Sequence, residues 1–497
     1  MILCDMLAGM DYRCLSGNVD VDVTDLIYDS RKVVSGAAFF CIDGVVTDGH
    51  SYAADAVEKG AAVLIVEHEV DAGGEITQVQ VSSTRYALAH MAAVYFGRPA
   101  DRMKVIGITG TKGKTSTAYM IKNIIENTGK KCGIIGTVGA AWGDKKVTTG
   151  LTTPESYVIH SLFKQMADDG CGYVVMEVSS QALKMKRTSG IEFDVAVFTN
   201  FSPDHIADGE HATLEEYRQC KEILFTQCKT GVFNEDDEVV DEFIKHATCD
   251  DIWIYGLASE QSTAVCNSGT SNCIMADEVK QWAESGKLGI SFDVSGAVSG
   301  HVKLEIPGLF NVYNAMAAVS VCHVLGIGLD DILKNLLSVR IPGRVELVNV
   351  SDEYSVIVDY AHNEVSTRSV METLREYNPA HIICVYGGGG NRSKLRRYDM
   401  GEVTGELADL SVLTCDNPRD EEIESINNDI KAGLAKHNGA YVEVPDRIDA
   451  IEYAMRHAVK GDIVLLLGKG HEQYQEIKGV KYHYDEREAV MEAASRL

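Results

Sequence analysis

The stretch Val105-Ile-Gly107-Ile-Thr-Gly110-Thr-Lys112-Gly113-Lys114-Thr115-Ser116 decides how the rest of the chain is read. An apolar, β-branched run passes into a glycine-rich turn and then into a helix-forming segment. Glycine there admits positive φ and lets backbone N–H groups converge on phosphate oxygens, while the following helix N-terminus adds positive potential. In a loop made of Gly110, Thr111, Lys112, Gly113, Lys114, Thr115 and Ser116, Lys114 reaches the terminal phosphates and Thr115 offers a hydroxyl to Mg²⁺. The spacing departs from GxxxxGK[ST]: the first glycine of that pattern falls on Ile108, with Gly107 and Gly110 on either side. Read without chemistry, these residues are a strand-to-helix turn. The coincidence of strand, glycines, Lys-Thr and helix favours a nucleoside triphosphate loop.

Working outward, Tyr173-Val-Val-Met176 reads as a second strand, running into Glu177-Val-Ser179-Ser180. A carboxylate at the C-terminal end of a parallel strand beside a phosphate loop is where Mg²⁺ needs a hard oxygen ligand. A third strand, Ala196 to Asn200, leads into Phe201-Ser-Pro-Asp204-His205, and a fourth is expected at Ala61 to Glu67. Strands alternating with amphipathic stretches predict α/β architecture with parallel sheets. At roughly 100–200 residues per domain, 497 residues suggest about three domains. Prolines near Arg98-Pro99-Ala100 and Ile341-Pro342-Gly343 divide the chain into blocks 1–98, 99–338 and 339–497. Between Ala258 and Gly300 a Ser/Gly/Asn-rich stretch with short alternating segments, such as Gly289 to Val294, reads as a strand-rich excursion.

Composition excludes several classes. Lys and Arg number 46 against 73 Asp and Glu, a net charge of −27, which argues against a nucleic-acid binder that tracks phosphates with cations. A bound polyanion must be held by local dipoles and a few placed cations or Mg²⁺. No apolar run reaches the ~18 residues of a membrane helix, and Met1 to Gly17 lack the features of a secretory signal, so a cytoplasmic location is expected. The 13 cysteines lack CxxC spacing, which predicts reduced, mostly core-packed thiols rather than a zinc site or a disulfide framework.

Further motifs follow in order: Gly308-Leu-Phe-Asn311-Val-Tyr-Asn314, Gly343-Arg344, Asp359-Tyr-Ala-His362 and Gly468-Lys-Gly-His-Glu472. Together with the loop, Glu177-Val-Ser-Ser180 and Asn200 to His205, they resemble the Mur ligase family over essentially the whole chain. Asp29-Ser30-Arg31 and Asp48-Gly-His50 are similar to the uridine-nucleotide domain of the member that adds the third residue of the peptidoglycan stem peptide. The resemblance implies three domains: a uridine-nucleotide-binding N-terminal domain, a P-loop ATPase central domain with a parallel sheet, and a Rossmann-like C-terminal domain. It implies an ATP- and Mg²⁺-dependent ligase in which a substrate carboxylate attacks the γ-phosphate and an amine displaces the acyl phosphate. Such catalysis is mostly positioning and electrostatics.

By the same resemblance, Lys114 contacts the β and γ phosphates, and Thr115, Glu177 and His205 hold Mg²⁺. Lys221, by composition a solvated helix lysine, matches the lysine that family members carbamylate into a metal-binding anion. Asn311 and Asn314 fall on the adenine side, and Arg344 and Asp359 reach phosphate and ribose when the third domain swings onto the second. Ser30 matches the uridine contact, and Thr152, Thr153, Ser179 and Arg187 the muramoyl-dipeptide contacts. Asp416-Asn417-Pro418-Arg419 resembles the signature of enzymes that add diaminopimelate, whose distal carboxylate an arginine fork suits. Arg392, Gly468 and Glu472 complete that pocket.

The implied substrates are UDP-N-acetylmuramoyl-L-alanyl-D-glutamate, meso-diaminopimelate and ATP, acted on by a monomer without nucleic-acid or membrane partners. Departures from the family pattern stand at Lys112, Gln181, Met185, Ile206-Ala207 and Asn363-Glu-Val365. The alternatives are L-lysine or another diamino acid as the amine, a folylpolyglutamate-like ligase, and a non-catalytic nucleotide-binding paralogue.

Overall fold

The computed structural model describes residues 1–44, 47–203, 206, 210–258 and 272–497. By compactness the chain forms two units, one of residues 1–256 with 317–326 and one of 257–316 with 327–497.

The first unit contains two sheets. In the N-terminal one, Leu26–Ile27, Ala38–Phe40, Val63–Val66 and Thr77–Val81 run parallel, and Tyr12–Ser16 adds an antiparallel edge. Val63–Val66 is buried along its length, as a strand covered on both faces must be. It is shorter than the segment expected at Ala61 to Glu67. Helix Thr84–Tyr95, capped by the Ser83 side chain, packs beneath this sheet. The second sheet has the parallel order Asp251–Leu257, Cys228–Asn234, Phe193–Phe198, Lys104–Thr109, Tyr173–Glu177, Cys132–Gly136. Tyr157 links the two sheets by donating its hydroxyl to Asp25 at 2.7 Å and meeting Phe96 edge-on.

Chain order gives this second sheet its functional edge. Strand Lys104–Thr109 lies between Tyr173–Glu177 and Phe193–Phe198, and the helix that follows it, Lys114–Asn127, crosses to Cys132–Gly136, beyond Tyr173–Glu177. The strand order therefore reverses beside Lys104–Thr109. A crevice opens at the carboxyl ends of the strands at such a point. The three strands read from sequence here are observed, shifted by up to three residues at their ends.

The second unit has a sheet of Ser355–Asp359, Ile463–Leu467, Ile382–Tyr386, Leu410–Leu413 and Tyr441–Glu443, all parallel, with Glu346–Leu347 antiparallel at one edge. Its central strands are wholly buried and separate two apolar clusters, one on each face, the Rossmann-like doubly wound arrangement. Arg447 and Glu486, both buried, pair at 2.8 Å and join helices Arg447–His457 and Glu486–Ser495, while Arg447 also donates to the Leu467 carbonyl. The strand-rich excursion is an antiparallel set, Cys273–Glu284, Lys287–Gly296 and Gly300–Leu304. Among the described residues no helix is long and apolar enough to cross a membrane.

One thiol departs from expectation: Cys273 is disulfide-bonded. The other described cysteines are free, and several of them are buried.

Helix Ser156–Asp168 buries His160 against Phe163 with neither ring nitrogen partnered by protein. Burial, helped by Arg98, holds this imidazole down to about 4. A histidine whose folded pKa is depressed leaves stability intact above its unfolded value near 6.5 and withdraws it as pH falls toward 4. The loss attributable to His160 amounts to at most ~3 kcal/mol, from 1.36 kcal/mol per unit. His160→Leu is expected to flatten this acid limb, as read by urea unfolding at pH 5 and pH 7 through Trp142 fluorescence, because Trp142 belongs to the same apolar cluster. An unchanged pH dependence would show that other groups carry it.

Candidate active site

The site begins with a close approach of two backbones. Gly110 follows strand Lys104–Thr109 at φ 145°, and a Cβ on it would sit 1.9 Å from Thr199 Oγ1. Without that atom the loop lies against the end of Phe193–Phe198. Thr199 donates to the Lys112 carbonyl at 2.7 Å, and Asn200 clamps the same residue, accepting from Lys112 N–H at 2.9 Å and donating to its carbonyl at 3.0 Å. Lys112 therefore serves through its backbone, while its side chain is exposed. Gly113, at φ 86°, turns the chain into helix Lys114–Asn127.

Two ammonium groups converge on the loop. Lys114 Nζ donates to the Gly110 carbonyl at 2.7 Å and to that of Thr111 at 2.9 Å. Lys221 Nζ donates to the same Gly110 oxygen at 2.9 Å, and its side chain, 1% exposed, passes over the Tyr217 ring. Lys221 is thus buried, against its reading from composition as a solvated helix lysine. Helix Leu214–Glu222, capped by Thr213, aims it inward. Tyr217 in turn shares a hydrogen bond with the Thr111 hydroxyl at 3.2 Å.

Glu177 ends strand Tyr173–Glu177 and is buried. Its Oε1 accepts from the Thr115 hydroxyl at 2.9 Å and from Thr137 N–H at 3.0 Å, and Oε2 accepts from the Thr137 hydroxyl at 3.1 Å. Thr137 Oγ1 is 3.2 Å from Thr152 Oγ1. Thr153 donates to the Glu177 carbonyl at 2.9 Å and accepts from Ser179 N–H at 3.0 Å, and its own carbonyl accepts from Arg187 at 3.0 Å. Thr115, Glu177, Thr152, Thr153, Ser179 and Arg187 thereby form one continuous network. Ser116 lies in the first turn of the loop helix, and His205 lies outside the described residues.

Arg187 also pairs with Glu155 at 2.7 Å. Tyr28 and Arg85 lie within electrostatic reach of that pair, burial pushing the Tyr28 phenol up and the Arg85 guanidinium down. Ser30 stands at the start of a short 3₁₀ turn, Ser30–Lys32, with its carbonyl accepting from Lys59 at 2.9 Å.

In the second unit, Asn311 and Asn314 open helix Phe310–Val324. Asn311 donates to the Pro307 carbonyl at 2.8 Å and accepts from Asn314 at 3.0 Å, both side chains being buried. Asp359 is buried, and its two carboxylate oxygens accept from Val345 and Ala361 N–H at 2.8 and 2.7 Å. Burial pushes its carboxyl up, and these N–H groups with Arg344 pull against that. Arg344 lies over the Tyr360 ring.

A cavity of about 220 Å³ follows, lined by Arg392, Asp416, Asn417, Arg419, Gly468 and Glu472 among others. Pro418 is not among the lining residues, and its carbonyl is packed so close to Gly390 that a Cβ there would lie 1.8 Å from it. Its part is to hold the turn. Arg419 sits at φ 50°, a costly conformation for a residue with a Cβ. Its Nε donates to Glu476 at 3.1 Å and its Nη1 to the Gly390 carbonyl at 2.8 Å, fixing the plane of the fork. Asp416 is buried with Oδ1 lacking a hydrogen bond, and burial pushes its carboxyl up while Lys469 pulls it down. The wall thus carries a cationic set, Arg392 with Arg419, and an acidic set, Asp416 with Glu472.

Lys469 organises the acidic set from behind. Fully buried, it donates to Asn417 and Glu472 at 3.0 Å each and to the Tyr474 carbonyl at 2.7 Å, and stands 3.5 Å from Asp416. It was legible only as a member of Gly468-Lys-Gly-His-Glu472. Thr137, Tyr217 and Arg85 carried no sequence signal, since each acquires its partners through the tertiary fold.

Comparison with known proteins agrees along the whole chain. Residues 22–108 match the Mur ligase family catalytic domain, 108–322 the Mur ligase middle domain, and 343–470 the Mur ligase glutamate ligase domain. A UDP-N-acetylmuramoyl-L-alanyl-D-glutamate–2,6-diaminopimelate ligase of Clostridium perfringens is 40% identical over 99% of each chain. The chain belongs to the Mur ligase family. A Geobacillus kaustophilus protein of the same description is 39% identical over 95% of each chain. A solved 2,6-diaminopimelate ligase structure superposes with TM-score 0.72 at 28% identity, covering 100% of this chain and 99% of the other. The folylpolyglutamate synthase of Mycobacterium tuberculosis shares the fold alone, with TM-score 0.56 at 17% identity.

As a Mur ligase whose buried Lys221 lies on the loop carbonyl, the protein is expected to lose about 10²–10³-fold in ligation rate on Lys221→Ala, the size of effect seen when a transition-state electrostatic group is removed. A small carboxylate such as formate should restore part of it. Undiminished turnover in the variant would remove Lys221 from the chemistry.

Proposed function

We propose that this Mur ligase joins meso-diaminopimelate to UDP-N-acetylmuramoyl-L-alanyl-D-glutamate, releasing ADP and phosphate by way of an acyl phosphate. It is an ATP-dependent carboxylate–amine ligase. The observation that carries the choice of amine is the cavity wall: an arginine fork held by Glu476 and Gly390, with two carboxylate residues, Asp416 and Glu472, on the same lining. Diaminopimelate presents two carboxylates and two ammonium groups, so both sets find partners. L-lysine lacks the distal carboxylate and leaves the arginine opposite an ammonium, the kind of unpaired charge that discriminates strongly.

The first unit supplies the phosphoryl chemistry. Lys114 and the loop N–H groups hold the triphosphate; Thr152, Thr153, Ser179, Arg187 and Ser30 orient the nucleotide-linked dipeptide. The residues around Glu177 suit Mg²⁺, because the hydroxyl of Thr115 and the carboxylate of Glu177, 2.9 Å apart, are hard oxygen donors. Thr115 and Glu177 would hold the ion, together with His205 and a carbamylated Lys221. When bound, Mg²⁺ offsets the charge of phosphates and carboxylate. Asn311 and Asn314 are assigned to the adenine, Arg344 and Asp359 to phosphate and ribose. We divide the chain into domains at 1–98, 99–338 and 339–497 and place it in the cytoplasm as a monomer acting on small molecules.

The test is phosphate release from Mg-ATP with UDP-N-acetylmuramoyl-L-alanyl-D-glutamate and, in turn, meso-diaminopimelate, L-lysine, L-ornithine or no amine, with the product mass determined. Release and a new amide with diaminopimelate alone are expected. Activity with another amine overturns the reading of the cavity, and silence with all overturns the acceptor. Arg419→Ala should raise KM for diaminopimelate about 10- to 100-fold, the equivalent of a charge-assisted hydrogen bond worth ~1.5–3 kcal/mol, with KM for ATP little changed. Equal losses for both substrates would contradict the assignment of Arg419.

A further inference from the structure

The cavity of the second unit is lined by a further arginine, Arg397, whose setting differs from those of Arg392 and Arg419. It belongs to helix Lys394–Leu407 and is only 2% exposed. Its Nη1 donates to Glu421 Oε2 and to Asp429 Oδ2 at 2.9 Å each, and its Nη2 to Glu421 Oε1 at 2.7 Å and to the Gly389 carbonyl at 3.0 Å. Two carboxylates therefore offset one positive charge, Glu421 in the bidentate geometry that suits an arginine fork. A guanidinium so engaged has little left to offer a substrate carboxylate. Its role has to be read from what it holds.

Arg397 holds two segments of chain together. The loop of residues 387–392 carries Arg392, and the turn of residues 416–421 carries Arg419. Arg397 bonds to the loop through the Gly389 carbonyl and to the turn through Glu421, whose Oε1 also accepts from Asn391 N–H at 2.5 Å. Beside this clamp, Gly390 N–H donates to the Asn417 carbonyl at 2.8 Å, and Asn391 Nδ2 to Asp420 at 2.6 Å. Gly389 is where the two remaining cations come together: a Cβ on it would lie 3.4 Å from Arg419 Nη1 and 3.5 Å from Arg392 Cγ. Gly388 leaves room for the Arg397 stem, since a Cβ there would lie 3.2 Å from Arg397 Cγ. The residue that pins the Gly389 carbonyl thus fixes the backbone beside which both arginines pack. Asn391 and Arg419 stand at φ 54° and 50°, left-handed conformations that persist only where the surroundings overdetermine them.

We propose that Arg397 is a positioning residue for the incoming amine, clamping the Arg392 loop to the Arg419 turn so that both cations are set in place for an amino acid with two carboxylates. The inference rests on reading this cavity as the diaminopimelate site, and adds the group that sets the geometry of its cationic wall. Donors fixed in advance bind more tightly and select more sharply than donors that must be ordered on binding.

The experiment is steady-state ligation by the full chain carrying Arg397→Lys, which keeps a cation beside Asp429 but lacks the fork that joins Glu421 to Gly389. KM for diaminopimelate is expected to rise about 10- to 100-fold, the scale of a small misplacement in a positioned site, with KM for ATP and for the nucleotide-linked dipeptide changed by less than about twofold. Adding Arg419→Ala to this variant should raise KM for diaminopimelate by no more than about threefold further, because residues that act as one unit are not additive. A role in folding alone predicts a lowered urea midpoint with the three KM values unmoved or raised alike, and full additivity with Arg419→Ala; any of these three kinetic results overturns the proposal. If Arg397→Lys does not fold, Glu421→Ala, at a partly exposed carboxylate, cuts the tie between Arg397 and Asn391 and carries the same expectation. Should the unmodified enzyme ligate a different amine, the diaminopimelate reading falls, and Arg397 is judged by the same criteria on the KM for that amine. Where no amine supports turnover, the Kd for meso-diaminopimelate from equilibrium dialysis replaces KM, and a Kd unmoved by Arg397→Lys overturns the proposal.

Discussion

The close approach at Gly110 is the constraint on which the first unit's chemistry depends. Because no Cβ stands between the loop and Thr199, the loop is hydrogen-bonded down onto the end of the neighbouring strand by Thr199 and Asn200. This pins the carbonyl of Gly110 where two ammonium groups reach it. Strand order does the rest, since the reversal beside Lys104–Thr109 opens a crevice at the strand ends from which this loop springs. A flexible loop would have to pay the ordering entropy each time a nucleotide bound; this one is already held by its neighbours.

The second unit solves a different electrostatic problem with similar means. A small cavity carries both signs of charge, and neither set collapses onto the other because each is tied down separately. Arg419 is fixed by Glu476 and Gly390, and Asn417 and Glu472 by the buried Lys469. Buried charges are tolerated only when paired and hydrogen-bonded, and the buried Asp416 carboxylate on the cavity lining has Lys469 3.5 Å from its Oδ1. The left-handed backbone of Arg419 belongs to the same arrangement, strain stored where a side chain must point in one direction.

Lys221 and Lys469 show how the sequence can name a residue without revealing its setting. Lys221 lies in a run rich in charge and has the pattern of a solvated helix face, yet it is among the most deeply buried side chains in the protein. Burial of a lysine depends on what packs over it, here Tyr217 and the loop carbonyl, which come from distant points in the chain. Asp359 shows the converse: its motif was legible, but only the structure shows both of its oxygens occupied by backbone N–H groups.

The sequence by itself determined the α/β class, the phosphate loop and the family, because strand periodicity, glycine placement and short motifs are local and survive being read along a line. It also nominated Glu177, the threonines, Arg187 and the Asp-Asn-Pro-Arg turn; the structure joins the first three in one hydrogen-bonded network and sets Asp416, Asn417 and Arg419 on one cavity lining. Tertiary structure alone decided that Thr137 bridges Glu177 to Thr152, that Arg85 and Tyr28 lie within electrostatic reach of Arg187, and that Lys469 orders the acidic wall. Several of those partnerships join residues far apart in the chain, 40 positions for Thr137 with Glu177 and 52 for Lys469 with Asn417, and only strand order and register bring such residues within reach of one another.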